Sequence, residues 1–174
     1  MKKLFFTAAA LFAFGFANAQ DGEMSYGAKA GYVALSSKSE VGGVSATGSD
    51  GGFFIGGFID MPISESISFK PELLYVSVTD ASQIQIPLHI KYNIGETFGL
   101  LAGPNLAFMT GAPEGIKSLN YGIDFGAAYN IGEKMVVDVR YNLGLANLAD
   151  TDKLGDDDAK ITMSGIYIGF GYKF

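Results

Sequence analysis

The chain has no cysteine and no tryptophan among its 174 residues, a single histidine, and only 17% charged residues. Without cysteine there is no disulfide framework and no thiolate to act as metal ligand or nucleophile. The lone His89 builds neither a zinc centre nor a Ser-His-Asp triad, because no Ser or Asp stands at a motif spacing from it. Base is scarce as well, with 12 Lys and Arg against 18 Asp and Glu and a formal charge of −6. That balance excludes nucleic acid, whose phosphates demand a basic footprint. Long apolar runs are confined to the first residues, so no later stretch reads as a helical membrane span. Yet 48% of the chain is hydrophobic, which is a high share beside so little charge.

The amino terminus opens with Lys2 and Lys3, continues with an apolar run over 4–16, and closes on Ala17, Asn18 and Ala19. This order of basic, apolar and small residues predicts a signal peptide over 1–19, cut before Gln20. The competing reading, an anchor helix, needs roughly 20 apolar residues and the run falls short. Loss of Lys2 and Lys3 leaves 10 basic residues against 18 acidic, a mature charge of about −8. Residues 20–174 suit one domain. An exported domain of this size without disulfides needs another source of stability, and a closed barrel in a bilayer supplies ladder hydrogen bonds and lipid contact.

Residues 83–94 carry the strongest signal. Ile84, Ile86, Leu88, Ile90, Tyr92 and Ile94 alternate with Gln83, Gln85, Pro87, His89, Lys91 and Asn93. A strand places these two sets on opposite faces. Seven further segments read as strands: 25–35, 52–61, 66–78, 97–109, 119–131, 134–145 and a last one from Gly165 to Phe174. The sixth sets Tyr121, Ile123, Phe125, Ala127 and Tyr129 against Asn120, Gly122, Asp124, Gly126 and Asn130. In the seventh, Met135, Val137, Val139, Tyr141 and Leu143 oppose Lys134, Asp138, Arg140 and Asn142. Lys29 and Asp60 fix the inward faces of the first two strands, and Lys70 with Glu72 that of the third.

The joins at 61–65, 93–97 and 130–134 are tight, whereas 36–51, 110–118 and 146–160 are longer and rich in Gly, Ser or Asp. Outer-membrane barrels show this asymmetry of short periplasmic turns and longer external loops. The expectation is therefore all-β: a transmembrane antiparallel up-and-down barrel of eight strands, with both termini periplasmic. A soluble sheet with an apolar core, or a lipocalin-like exported barrel binding an apolar ligand, requires the opposite facing. Pro71, Pro87 and Pro104 fall inside strands and remove ladder donors, so bulges or local widening are expected there. Arg at Ile123 or Val139 should cost about 2–4 kcal/mol at bilayer mid-depth, and Arg at Asn120 or Asn142 less.

Pro71-Glu72-Leu73-Leu74-Tyr75, Gln85-Ile86-Pro87-Leu88, Gly103-Pro104-Asn105 and Arg140-Tyr141-Asn142-Leu143-Gly144-Leu145 resemble segments of the small outer-membrane β-barrels of Bacteroidetes. These are the porin-family or PorT-like proteins, akin to eight-stranded barrels of the OmpA/OmpX type. The Gly27-x-Lys29-x-Gly31 pattern fits the same group. The resemblance implies the barrel fold and an outer-membrane location, and the expected state is a monomer in lipid. It also implies that the terminal strand ending in Phe174 is read by the barrel-assembly machinery.

No catalytic, cofactor or metal site is expected. His89 reads as a hydrogen-bonded residue of the interior. The segment from Asp150 to Asp158 has Asp152 and Gly155 where a calcium loop wants them, but Leu154 and Ile161 occupy ligand positions 5 and 12. It reads as a solvated acidic loop, with loose divalent binding as the alternative. Lys29, Lys70, Lys91 and Arg140 share the interior with Glu72, Asp124 and Asp138. An eight-stranded barrel is just wide enough for its own side chains to fill, so these charges should pair into a plug. The expected role is structural, adhesive or loop-mediated contact at the cell surface. A PorT-like accessory of protein secretion and a narrow porin are the alternatives.

Overall fold

Alternation along the chain becomes eight antiparallel strands in the computed structural model, which describes residues 24–79 and 81–174. The signal peptide expected over 1–19 lies outside the described residues. The strands are β1 (Ser25–Val41), β2 (Val44–Pro62), β3 (Ile67–Val78), β4 (Ala81–Ile94), β5 (Phe98–Thr110), β6 (Leu119–Ile131), β7 (Met135–Gly144) and β8 (Lys160–Lys173). A single turn of helix, α1 (Thr151–Leu154), precedes β8. Each strand pairs with the next and β8 closes on β1, so no edge remains within the wall. No described helix is long and apolar enough to cross a membrane.

The pairing register fixes the width of the barrel. Stepping across partners from Met61 through Phe69, Ile90, Ala102, Phe125, Tyr141, Ile166 and Ala34 returns to β2 at Gly51, ten residues from the start. A shear of this size over eight strands tilts them by about 40° and leaves an interior that side chains fill.

The faces fall as the alternation predicts. Val139 is 49% exposed and Leu143 40%, whereas Asp138 is 1% and Arg140 2% exposed. The outer wall carries Ile55, Leu73, Ile90, Leu100, Ile123 and Ile168, all exposed. Exposed Tyr26, Tyr92, Tyr129 and Tyr172 stand at the turn-side ends of their strands, where an interfacial girdle belongs. This is the reverse of the facing that a soluble barrel for apolar ligands requires.

Two local readings need correction, and a third holds in one of its two forms. The segment 36–51, expected as a long external loop, continues as strand: β1 and β2 pair from Ser25↔Asp60 out to Val41↔Val44. Gly42 (φ 58°) and Gly43 (φ 76°) close this hairpin in the left-handed conformation that a two-residue turn needs. At the prolines the ladder widens locally and forms no bulge. Partners are missing only beside Pro71, Pro87 and Pro104, and the register resumes unchanged on the far side, so the ladder opens without slipping. The segment 146–160 is not simply external, since Ala146, Leu148, Ala149 and Ala159 are buried.

Candidate functional site

The interior is built in layers by inward residues at every second position. At the turn-side mouth Lys91 pairs with Asp60, Lys173 Nζ lies 3.2 Å from Asn130 Oδ1, and Asn93 Nδ2 lies 3.1 Å from Ser68 Oγ. Phe58, Leu101, Ala128 and Val136 form a small apolar layer beside them.

The charged layer comes next. Glu72 receives three cations: Lys29 at 3.1 Å, Lys70 at 3.3 Å and Arg140 at 3.1 Å. Asp138 lies 2.7 Å from Lys29 Nζ and 3.0 Å from Arg140 Nε. The Arg140–Asp138 contact is close in distance but outside hydrogen-bond geometry, leaving Arg140 Nε without a bonded acceptor. Asp124 accepts from His89 Nε2 at 2.9 Å, from Asn142 Nδ2 at 2.6 Å and from Asn105 Nδ2 at 3.2 Å. Since a carboxylate only accepts, Nε2 carries the His89 proton. With His89 neutral, Lys29, Lys70 and Arg140 balance Glu72, Asp124 and Asp138. All six side chains are at most 2% exposed, so a charge without its counterpart here has no water to turn to.

Alternation along the strands puts these residues inside, and the structure brings them together. It also shows what makes room for them. A Cβ on Gly169 would sit 2.7 Å from Lys29 Cε and 3.0 Å from Asp138 Oδ2, and one on Gly126 would sit 2.7 Å from Arg140 Cγ. The signal was present in the chain as glycines on the inward face of β6 and β8. Phe54 and Tyr167 place their rings 5.9 and 5.4 Å from the Arg140 guanidinium, and Phe58 lies 4.6 Å from Lys70 Nζ.

Above the charges Val33, Leu35, Phe54, Leu74, Val76 and Tyr167 make an apolar layer that charge patterning did not announce. Gln85 Nε2 bridges to Tyr167 Oη at 2.8 Å and to Gln83 Oε1 at 3.2 Å. The external mouth is covered by the segments 111–118 and 145–159. Ile116 bridges Ala149, Lys117 N donates to Leu148 O at 2.8 Å, and Asp150 N donates to Gly115 O at 2.9 Å. Met109, Ala146 and Leu148 pack beneath. Asn147 holds the cover down, donating to Ala159 O and accepting from Ile161 N, each at 3.0 Å.

This arrangement neutralises charge and fills the lumen with side chains. The His89–Asp124 pair faces no hydroxyl, since His89 Nδ1 has no hydrogen-bond partner and Glu72 Oε1 lies 4.0 Å from it. In the acidic segment Asp156 spends its carboxylate on the protein, accepting from Gly42 N at 2.7 Å and from Asp158 N at 3.0 Å. Among the described residues no group of three or more His, Asp or Glu is placed to hold a metal ion.

Residues 6–174 match the family model described as outer membrane protein beta-barrel domain. Solved structures similar to this one include Neisserial surface protein A, at 14% identity and a TM-score of 0.52 over 88% of this chain and 100% of that chain. OprG from Pseudomonas aeruginosa follows at 16% identity and 0.47, over 86% and 95%. Ail, the attachment invasion locus protein of Yersinia pestis, gives 14% and 0.48 over 88% and 100%. At these identities the likeness is one of fold, and it rests on the first. No curated protein matches the chain in sequence.

Proposed function

Because the chain belongs to the outer membrane protein β-barrel domain family, we propose that it serves as a closed surface barrel whose contacts with the outside are made by its external hairpin and segments. Its place is the outer membrane of a Gram-negative cell. The observation that carries the reading is the filled interior. Six buried charges pair at mid-barrel, apolar layers flank them, and the segments 111–118 and 145–159 cover the outer mouth. A wall committed to lipid and an interior committed to itself leave the external parts for work. The reading assigns no catalysis. It takes the protein as a monomer in lipid, delivered by the barrel-assembly machinery through the strand ending in Phe174. Within the family, the segments at Pro71–Tyr75 and Arg140–Leu145 support a place among the Bacteroidetes porin-family or PorT-like barrels, where the label marks ancestry and not transport.

The test is attachment. Cells of a host expressing the full chain should adhere to protein-coated surfaces more than cells expressing a version with residues 38–47 replaced by a two-glycine turn. Heat-modifiable gel mobility establishes that both barrels fold. Equal attachment by the two would remove the surface-contact reading.

A further inference from the structure

The external hairpin is open along one side. β1 is covered on both sides, by β2 and by β8, out to Glu40↔Lys160. The far edge of β8 is occupied too: Leu148 N donates to Ile161 O at 2.8 Å, Asn147 Oδ1 accepts from Ile161 N at 3.0 Å, and Gly144 N reaches Ser164 Oγ at 3.2 Å. β2 differs. Its pairing with β3 begins only at Gly52↔Val78, so among the described residues 44–51 have no strand beyond them. Alternate residues of this stretch turn an amide and a carbonyl away from β1.

Native proteins blunt such edges with Lys, Pro, a bulge or a cover. Here the stretch reads Val44, Ser45, Ala46, Thr47, Gly48, Ser49, Asp50, Gly51, with one charge and no proline. Its register with β1 is unbroken, and every residue in it is exposed. The opposite edge of the same small sheet is capped and this one is not. Two neighbouring charges are already spent on each other, since Lys38 Nζ lies 2.6 Å from Glu40 and holds that carboxyl below its usual range.

We infer that residues 44–49 of β2 form a docking edge for an extended segment of another polypeptide, added as an antiparallel strand. The inference rests on the surface-contact reading above and names its surface. Six residues offer about 20 Å of ladder, enough for a short segment. Side chains along the edge are small and uncharged up to Asp50, which is the one charge on this stretch. The fitting partner is an extended run of Ser, Thr and Val bearing a basic residue. A second copy in the same membrane does not fit. A two-fold along the membrane normal keeps both β2 strands descending toward the bilayer, and with strands tilted by about 40° their edges cross at a wide angle.

The experiment uses the full chain folded in lipid nanodiscs, with amide hydrogen exchange as the readout. The probe is a lysine-flanked Thr-Val repeat peptide, and its control is the same peptide N-methylated at alternate residues. At a peptide concentration about ten times its Kd, alternate amides within 45–49 should exchange about tenfold more slowly, with barrel amides unchanged. The N-methylated peptide should do nothing, because its side chains persist while its ladder donors are gone. No slowing, equal slowing by the N-methylated peptide, or slowing confined to 145–159 would each overturn the assignment. Clustering of protein-bearing vesicles without peptide, lost in Thr47→Pro or Ala46→Pro, would assign the edge to a copy on a facing membrane and overturn it too. Exchange reads the edge alone. An unprotected edge with attachment intact removes this inference and leaves the broader reading standing.

Discussion

Glu72 is the residue on which the interior turns, because one carboxylate answers three cations, Lys70 from its own strand and Lys29 and Arg140 from β1 and β7. Replacing it with Gln keeps the shape and removes the charge, leaving Lys29, Lys70 and Arg140 with Asp124 and Asp138 alone. Breaking a buried network this way costs about 3–5 kcal/mol. Glu72→Gln should therefore lower the urea stability of the vesicle-folded barrel by that amount, whereas Glu40→Gln on the exposed hairpin should leave it unchanged. An equal response at both positions would contradict the pairing. On the outer face, Val139→Arg should cost about 2–4 kcal/mol in the same assay, against near neutrality for Ser45→Arg outside the wall. The milder effect expected of Arg at Asn142 does not survive the structure. Asn142 is buried and donates to Asp124 at 2.6 Å, so a longer side chain there has no space and removes a partner from a carboxylate.

At the scale of elements, the wall depends on close backbone approach where the ladder is open. A Cβ on Gly103 would collide with the carbonyl oxygen of Leu88, beside the gap that Pro104 leaves between β4 and β5. Gly103→Ala should thus reduce the folded fraction seen by heat-modifiable mobility, while Gly48→Ala, whose Cβ meets only Ser37 Oγ at 3.4 Å, should not. Strands and facing were legible because alternation needs only the local chain: Ile123 against Asp124 and Val139 against Arg140 state their sides without help from elsewhere. The hairpin of β1 and β2 was hidden for a physical reason. Residues 36–51 lie outside both lipid and core, so no face is buried and no alternation is imposed. Gly42 and Gly43 were the available sign of a two-residue turn. The inward apolar layer was obscured because Leu74 and Val76 follow Glu72 on the same face, breaking the polar series by which the inside was read. The cover formed by Leu148 and Ala149 depends on pairing with Ile116, a contact between distant segments that neither announces alone.

Taken whole, the molecule is a lipid-facing wall around a neutral interior filled by side chains, with the β2 edge at 44–51 uncovered among the described residues. Closure comes from pairing and packing together: charges at mid-height, Phe58, Leu101 and Val136 on the turn side, and Val33, Phe54 and Tyr167 on the other. A barrel of this kind is held by its contents, so stability and impermeability should fail together when the contents are disturbed. The most direct measurement of that claim is ionic current through the purified full chain in a planar bilayer, read for the native protein and for Glu72→Gln. The structure predicts a silent native barrel, with any openings appearing only once the Glu72 pairing is broken. Steady native conductance that Glu72→Gln leaves unchanged would show an open path past Lys29, Glu72 and Arg140, and would contradict the closed interior.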